Sequence, residues 1–192
     1  MQYFILSVKL LWKTKWGLLL NYGLMWDIMV TSGNEWEYQL RCSWAHGDML
    51  IGEYIHTIDE KNRISLPSKF RKELGKSVIL APGLDRCIAM FTVKEWARIS
   101  EKLSESSMLS SDNRSFARLM FGNAVEASVD SIGRILVPQF LKDRASIKGK
   151  IAVIGVQGRV ELWDEKTWNT YKGTLDKRAD DLAEKLGQIG VL

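Results

Sequence analysis

A chain of 192 residues and 21.9 kDa has room for one ordinary domain or two small ones. With 46% hydrophobic and 26% charged residues it has a globular balance, not that of a disordered, collagen-like or disulfide-dense chain. The net charge of +4 and pI near 9.0 permit an anionic partner such as nucleic acid without demonstrating one.

Two cysteines (Cys42, Cys87) and two histidines (His46, His56) are too few for a disulfide framework, a metal knuckle or most histidine-base chemistry. No metal and no cofactor is expected, and the cysteine usage suits a reducing, cytoplasmic compartment.

Composition changes near Met49. Residues 1–48 hold five of the eight tryptophans (Trp12, Trp16, Trp26, Trp36, Trp44) and none of the three prolines. Their charges cancel, so the whole +4 lies in residues 49–192. The apolar stretch from Trp16 to Val30 is interrupted by Asn21 and Asp27 and falls short of the ~20 residues a bilayer span needs. No small-residue cleavage site follows it cleanly. The segment reads as a non-homologous extension, disordered or lying upstream of a true start at Met49, and no membrane partner is expected.

From Met49 onward the chain is duplicated. Asp59-Glu60-Lys61-Asn62-Arg63-Ile64-Ser65-Leu66-Pro67 returns as Asp130-Ser131-Ile132-Gly133-Arg134-Ile135-Leu136-Val137-Pro138, an offset of 71. Phe91 to Trp96 returns as Trp163 to Trp168 at an offset of 72. In chain order, an alternating strand over Ile51 to Ile58 leads through a polar tetrad into a short apolar strand that ends at Pro67. Strands over Ser77 to Ala81 and Cys87 to Phe91 follow, turned at Pro82-Gly83. Thr92 with Glu95 is a capping box, opening a helix with Trp96, Ile99 and Leu103 on one face. A linking helix is expected from about Asn113 to Phe121.

The second copy repeats the hairpin from Val125 to Pro138. Strands over Lys150 to Val156 and Val160 to Trp163 follow, with a polar helix from Leu175 to Leu186. Trp96 and Trp168 are expected as core anchors.

In each hairpin an aspartate and an arginine stand four residues apart. Asp59 and Asp130 suit a turn device, accepting backbone N–H groups, with Arg63 or Arg134 bridging back. Asn62 and Gly133 share the position that tolerates φ > 0. The alternative is an arginine projecting outward as a planar fork for phosphate or guanine. Lys61, Lys69, Arg71 and Lys72 surround the first turn, and such clustered cations beside a hairpin favour a phosphate backbone.

The paired D-x-x-x-R hairpins, Gly52-Glu53-Tyr54 before His56-Thr57-Ile58-Asp59, and Glu161-Leu162-Trp163-Asp164 together resemble the MraZ family over residues 49–192. The resemblance implies an α+β fold of two tandem swapped-hairpin AbrB-like β-barrel units with flanking helices. The first SpoVT-AbrB-type unit with its linker helix would cover 49–123, and the second with its C-terminal helix 124–192. It also implies a ring-shaped homo-oligomer, nucleoid-associated, that binds double-stranded DNA at direct repeats upstream of its own division and cell-wall genes. The DNA-contacting residues it implies are Arg63, with Lys61 beside it, and Arg134 as the second-copy counterpart; Lys69 and Arg71 are expected to join them from the cationic cluster. Asn62 departs from the glycine usual in the family.

Family operators resemble repeats of a TGGG-type box, and the tryptophan codon is TGG. Trp16, Trp26, Trp36 and Trp44 precede Gly17, Asp27, Glu37 and Ala45, whose codons begin with G, so each pair spells TGGG. Trp16, Trp26 and Trp36 are ten residues apart, equivalent to about three turns of a ~10–10.5 bp helix. Residues 1–48 are thus expected to be a translated operator and leader.

No Gly-rich phosphate loop, nucleophile elbow or metal-ligand spacing points to an enzyme. An AbrB-like antitoxin or oligomeric scaffold using the fold for protein partners is the alternative. Such a protein usually carries one unit and a partner-binding tail, so duplication favours the regulator.

Overall fold

The computed structural model describes residues 49–105 and 109–190. The tryptophan-rich first 48 residues, with their expected disorder and operator codons, lie outside the described residues.

Alternation in the first copy produces β1 (Leu50–Thr57), with Leu50, Tyr54 and His56 turned inward and Ile51, Glu53 and Ile55 outward. The turn at Asp59 leads to β2 (Arg63–Ser65), which ends before Pro67. The chain then forms α1 (Ser68–Leu74), β3 (Ser77–Pro82), β4 (Ile88–Thr92), α2 (Val93–Ser104) and α3 (Ser111–Gly122). The second copy follows in the same order: β5 (Val125–Ser128), β6 (Arg134–Leu136), α4 (Gln139–Arg144), β7 (Lys150–Gln157), β8 (Arg159–Asp164) and α5 (Glu165–Asp176). A last helix, α6 (Ala179–Gln188), closes the described chain.

The fold is α+β, and its strands pair across the repeat. A six-stranded antiparallel sheet has the order β1-β7-β8-β4-β3-β5, and β2 pairs with β6 in a separate two-stranded ribbon. Exchanging the copies maps this order onto itself, with the pseudo-two-fold between β8 and β4. β1 of the first copy lies beside β7 of the second from Leu50↔Gln157 to Thr57↔Lys150, and β5 lies beside β3 from Ser77↔Ser128 to Leu80↔Val125. The strands do not close into the two barrels expected. Each hairpin splits, giving its first strand to the large sheet and its second to the ribbon. The large sheet therefore stays open, with β1 and β5 as its edges.

One core draws on both copies. Ile64, Leu66 and Phe70 meet their repeat partners Ile135, Val137 and Leu141 there, with Leu80, Met90, Val153 and Leu162 from the sheet. Each is effectively removed from water, worth about 2 kcal/mol per large side chain relative to exposure. On the opposite sheet face, α2 and α3 cover Ala81, Ala89 and Phe91 through Trp96, Ile99 and Met120. Trp168 and Tyr171 of α5 cover Cys87, Ala152, Ile154 and Trp163. Trp96 packs against Phe91 and Phe121 at centroid distances of 5.5 and 5.6 Å, and Trp168 lies 5.5 Å from Trp163, so both serve as apolar anchors.

Three local features depart from the sequence reading. The prolines do more than stop a strand: Pro67 and Pro138 stand at the N-caps of α1 and α4, where a missing N–H costs nothing. The turn after β3 is made by Asp85 and Arg86, both at positive φ, rather than by Pro82-Gly83. The expected helix from Leu175 to Leu186 is divided between α5 and α6. Helix α5 begins where Asp164 accepts from the N–H groups of Lys166 and Thr167. The capping interaction at Thr92 forms, its Oγ1 accepting from the N–H of Glu95 at 3.1 Å.

Candidate nucleic-acid interface

The two hairpin turns are built on the same plan. Asp59 Oδ1 accepts from the backbone N–H groups of Lys61 (2.9 Å) and Arg63 (2.8 Å), while Oδ2 accepts from Arg63 Nε and Nη2, both at 2.8 Å. Asp130 Oδ1 accepts from the N–H groups of Ile132 (3.1 Å) and Arg134 (2.8 Å), and Oδ2 from Arg134 Nε at 2.8 Å. One carboxylate oxygen thus fixes the backbone and the other fixes the guanidinium.

Both carboxyls are held below their usual range, first by the arginine backbone N–H and then by the guanidinium and the second N–H, against an opposing contribution from burial. Each arginine is turned back onto its own turn and is half-buried, which is the geometry of the turn device. The Nε edge is engaged, and the Nη1–Nη2 edge remains the one suited to bidentate contact.

The ribbon brings the two turns together. Arg63 pairs with Leu136, Ile64 with Ile135 and Ser65 with Arg134. Ile64 and Ile135 point into the core, so Arg63, Ser65, Arg134 and Leu136 all occupy the outward face. The two arginines are diagonal neighbours across the ladder, a spacing of roughly 7–8 Å in antiparallel sheet. Sequence spacing places them in separate units, and only the pairing of β2 with β6 reveals one shared face.

Each turn is also seated on the other copy. Leu66 donates its N–H to the Gly133 carbonyl and Val137 to that of Asn62, both at 2.8 Å. Asn62 (φ 57°) and Gly133 (φ 81°) adopt the left-handed conformation expected of them. Lys69 is exposed on α1, whose buried side presents Phe70 and Leu74. Lys61 is exposed in the first turn.

Arg71 lies elsewhere than simply on a cationic surface. Its Nε donates to the Leu66 carbonyl at 2.8 Å, and its side chain covers Gly133 so closely that a Cβ there would collide with Nε. At the related position Lys142 Nζ donates to Asn62 Oδ1 at 2.7 Å, while Asn62 Nδ2 donates to Gln139 Oε1 at 2.7 Å. A sequence reading places Lys142 among the cations beside the second turn and leaves out Gln139; that both reach across to Asn62 of the first turn follows only from the structure, although the offset of 71 already matches Arg71 with Lys142.

Among the described residues no helix is long and apolar enough to cross a membrane, and no three His, Cys, Asp or Glu side chains gather as a metal site.

Comparison with known proteins agrees with the duplicated architecture. The family described as "MraZ protein, putative antitoxin-like" matches residues 49–119 and again 120–187. The chain is 43% identical over 143 residues to the transcriptional regulator MraZ of Caldicellulosiruptor saccharolyticus, covering 74% of this chain and all of that protein. The protein of the same name from Acetivibrio thermocellus is 41% identical over 143 residues, and that from Clostridium acetobutylicum 44% over 144, with the same coverage.

Proposed function

This chain belongs to the MraZ family, and we propose that it is a sequence-specific DNA-binding transcriptional regulator that reads duplex DNA with the β2–β6 ribbon. The observation that carries this is the convergence of Arg63 and Arg134 on one outward face of a two-stranded ribbon. Such a ribbon fits the major groove, where arginine pairs bidentately with guanine O6 and N7. Lys61, Lys69 and the exposed remainder of Arg71 hold phosphates and set the ribbon's depth. Asp59, Asn62, Asp130 and Gly133 keep the turns in the shape that presents the arginines.

In this reading the two copies are SpoVT-AbrB-type units (49–123 and 124–192) that exchange hairpins, as AbrB-like barrels do between monomers. Several chains assemble into a homo-oligomeric ring, so that weak single contacts add by avidity over TGGG-like direct repeats. Those repeats lie upstream of its own gene within a division and cell-wall cluster. Binding there represses the cluster and places the protein on the nucleoid, in the cytoplasm. The relatives are named as regulators rather than enzymes, and no reaction is assigned to this chain.

The family description also says antitoxin-like, which keeps a protein partner as the second reading. The test is binding of the full chain to the duplex encoding residues 1–48, against a shuffled duplex of equal composition, at two salt concentrations. Preference for the native duplex is expected. Equal binding to both, vanishing with salt, would reduce the ribbon to a basic surface and put the protein partner first.

A further inference from the structure

The ribbon face is nearly two-fold in backbone but not in chemistry. Lys61, Ser65 and Lys69 of the first copy correspond, at the constant offset of 71, to Ile132, Leu136 and Phe140 of the second. All three replacements are apolar and remain in water, at 58%, 56% and 46% exposure. Leu136 lies on the outward face, directly opposite Arg63 in the ladder. Ile132 sits at the tip of the Arg134 turn, and Phe140 in the first turn of α4. Neither local folding nor the core requires these residues, because the first copy builds the same turn, strand and helix with polar ones. Isolated exposed apolar side chains need no explanation. Three at the positions that flank the second arginine, each replacing a polar or cationic residue, do.

We propose that Ile132, Leu136 and Phe140 are specificity residues that meet thymine methyl groups in the major groove. They make the ribbon bind its DNA box in one orientation. A face with two equivalent halves presents the same donors after a half-turn, so it accepts a box in either direction. Here one half offers ammonium and hydroxyl groups, and the other offers hydrocarbon beside Arg134. The base-edge feature that hydrocarbon recognises in the major groove is the thymine C5-methyl. The lysines of the first-copy half then track phosphates while the apolar residues of the second-copy half are matched to thymine edges, and the box is read as a directed sequence. This rests on the reading of the ribbon as the DNA-binding element.

The experiment compares three duplexes with the full chain: the native one encoding residues 1–48, the same duplex with every thymine replaced by uracil, and a shuffled control. Uracil keeps the hydrogen-bonding edge and removes only the methyl. The wild-type chain is expected to bind the uracil duplex more weakly, by about fourfold for each methyl it buries. The triple variant Ile132→Ser, Leu136→Ser, Phe140→Ser is expected to bind thymine and uracil duplexes alike while still preferring both to the shuffled one. Leu84→Ser, an exposed apolar change in the β3–β4 turn, is expected to keep the full methyl sensitivity.

Unchanged thermal melting of the triple variant shows that its fold is intact. Equal wild-type affinity for thymine and uracil duplexes overturns the inference while leaving the regulator reading standing, provided the shuffled duplex is still rejected. A triple variant that keeps the wild-type methyl sensitivity also overturns it. So does a methyl-insensitive wild type whose oligomer dissociates on triple substitution, which would assign the apolar half to protein contact. Loss of discrimination against the shuffled duplex in the wild type is the separate failure of the DNA-reading function.

Discussion

Lys142 Nζ donates to Asn62 Oδ1 at 2.7 Å, so a helix of the second copy holds the turn of the first. The return contact is of another kind: the Arg71 side chain of the first copy covers Gly133 in the second copy's turn. Asparagine with lysine, and glycine with arginine, are two solutions to seating one kind of left-handed turn. They should respond differently to substitution.

Gly133→Ala is expected to be the costlier change, because the new Cβ meets Arg71 and the residue must keep a positive φ. A loss of about 1–3 kcal/mol is expected in urea unfolding. Asn62→Gly keeps the conformation and loses only hydrogen bonds made near solvent, a change within about 1 kcal/mol. Equal stability of the two variants would contradict the packing of Arg71 on the second turn.

The proposed lysine contacts to phosphate and arginine contacts to bases would separate by their salt dependence. Lys61→Ala and Lys69→Ala should each lower the slope of log affinity against log salt by about one, with little change in the preference for native over shuffled duplex. Arg63→Lys keeps the charge but cannot form the bidentate pair, so a loss of roughly 1–3 kcal/mol in discrimination is expected at an almost unchanged slope. Fluorescence anisotropy titrations across a salt series measure both quantities.

Acid should loosen the molecule in two stages of the same sign. Burial first, and the nearby Arg71 guanidinium second, lower the His56 pKa below its ordinary 6.5, so the fold favours neutral imidazole. Its contribution is complete above pH 6.5 and is lost as pH falls from there through the lower folded value. Asp59 and Asp130, depressed from 3.8, contribute fully above that value and lose their contribution below it. Urea midpoints measured from pH 7.5 to 5.0 should fall for the wild-type chain and change less for His56→Gln.

Cys87 should be inert while the chain is folded. Its thiol is buried, its Sγ donates to the Leu84 carbonyl at 3.1 Å, and burial pushes its pKa up to about 12. At pH 8 almost no thiolate exists to attack a reagent. Labelling of Cys87 by a maleimide, followed by peptide mass spectrometry, should proceed only under denaturing conditions.

The repeat and the turn chemistry are legible in the sequence because each depends on neighbours within a few residues, whereas the two strands flanking each turn pair elsewhere and not with each other. Asp59 to Arg63 closes a ring of local hydrogen bonds, and its copy at Asp130 closes the same one. The pairing of β2 with β6 was not legible in spacing alone, since Ile64 and Ile135 are equally suited to a partner in their own copy. The family resemblance pointed to exchange between copies but implied closed barrels, where an open sheet is found. Helices α1 and α4 leave little signal in the sequence, because each is short and the proline at its N-cap marks the end of a strand equally well. Arg71 was read by its charge, and its position over Gly133 follows only from the exchange of hairpins.

Strand β1 has no partner until β7 exists, because its ladder runs from Leu50↔Gln157 to Thr57↔Lys150. A ribosome releases the first hairpin long before it synthesises its mate. During that interval the apolar inner residues of β1 and β2 lack their second-copy neighbours, and only first-copy residues such as Phe70, which meets Tyr54, are there to cover them. Local pieces such as α2 on β4 can form early, whereas the ribbon and the outer ladder must await nearly the whole chain. Birth of this molecule is therefore closer to docking than to sequential folding, and two nascent chains on one messenger could exchange hairpins before either is finished.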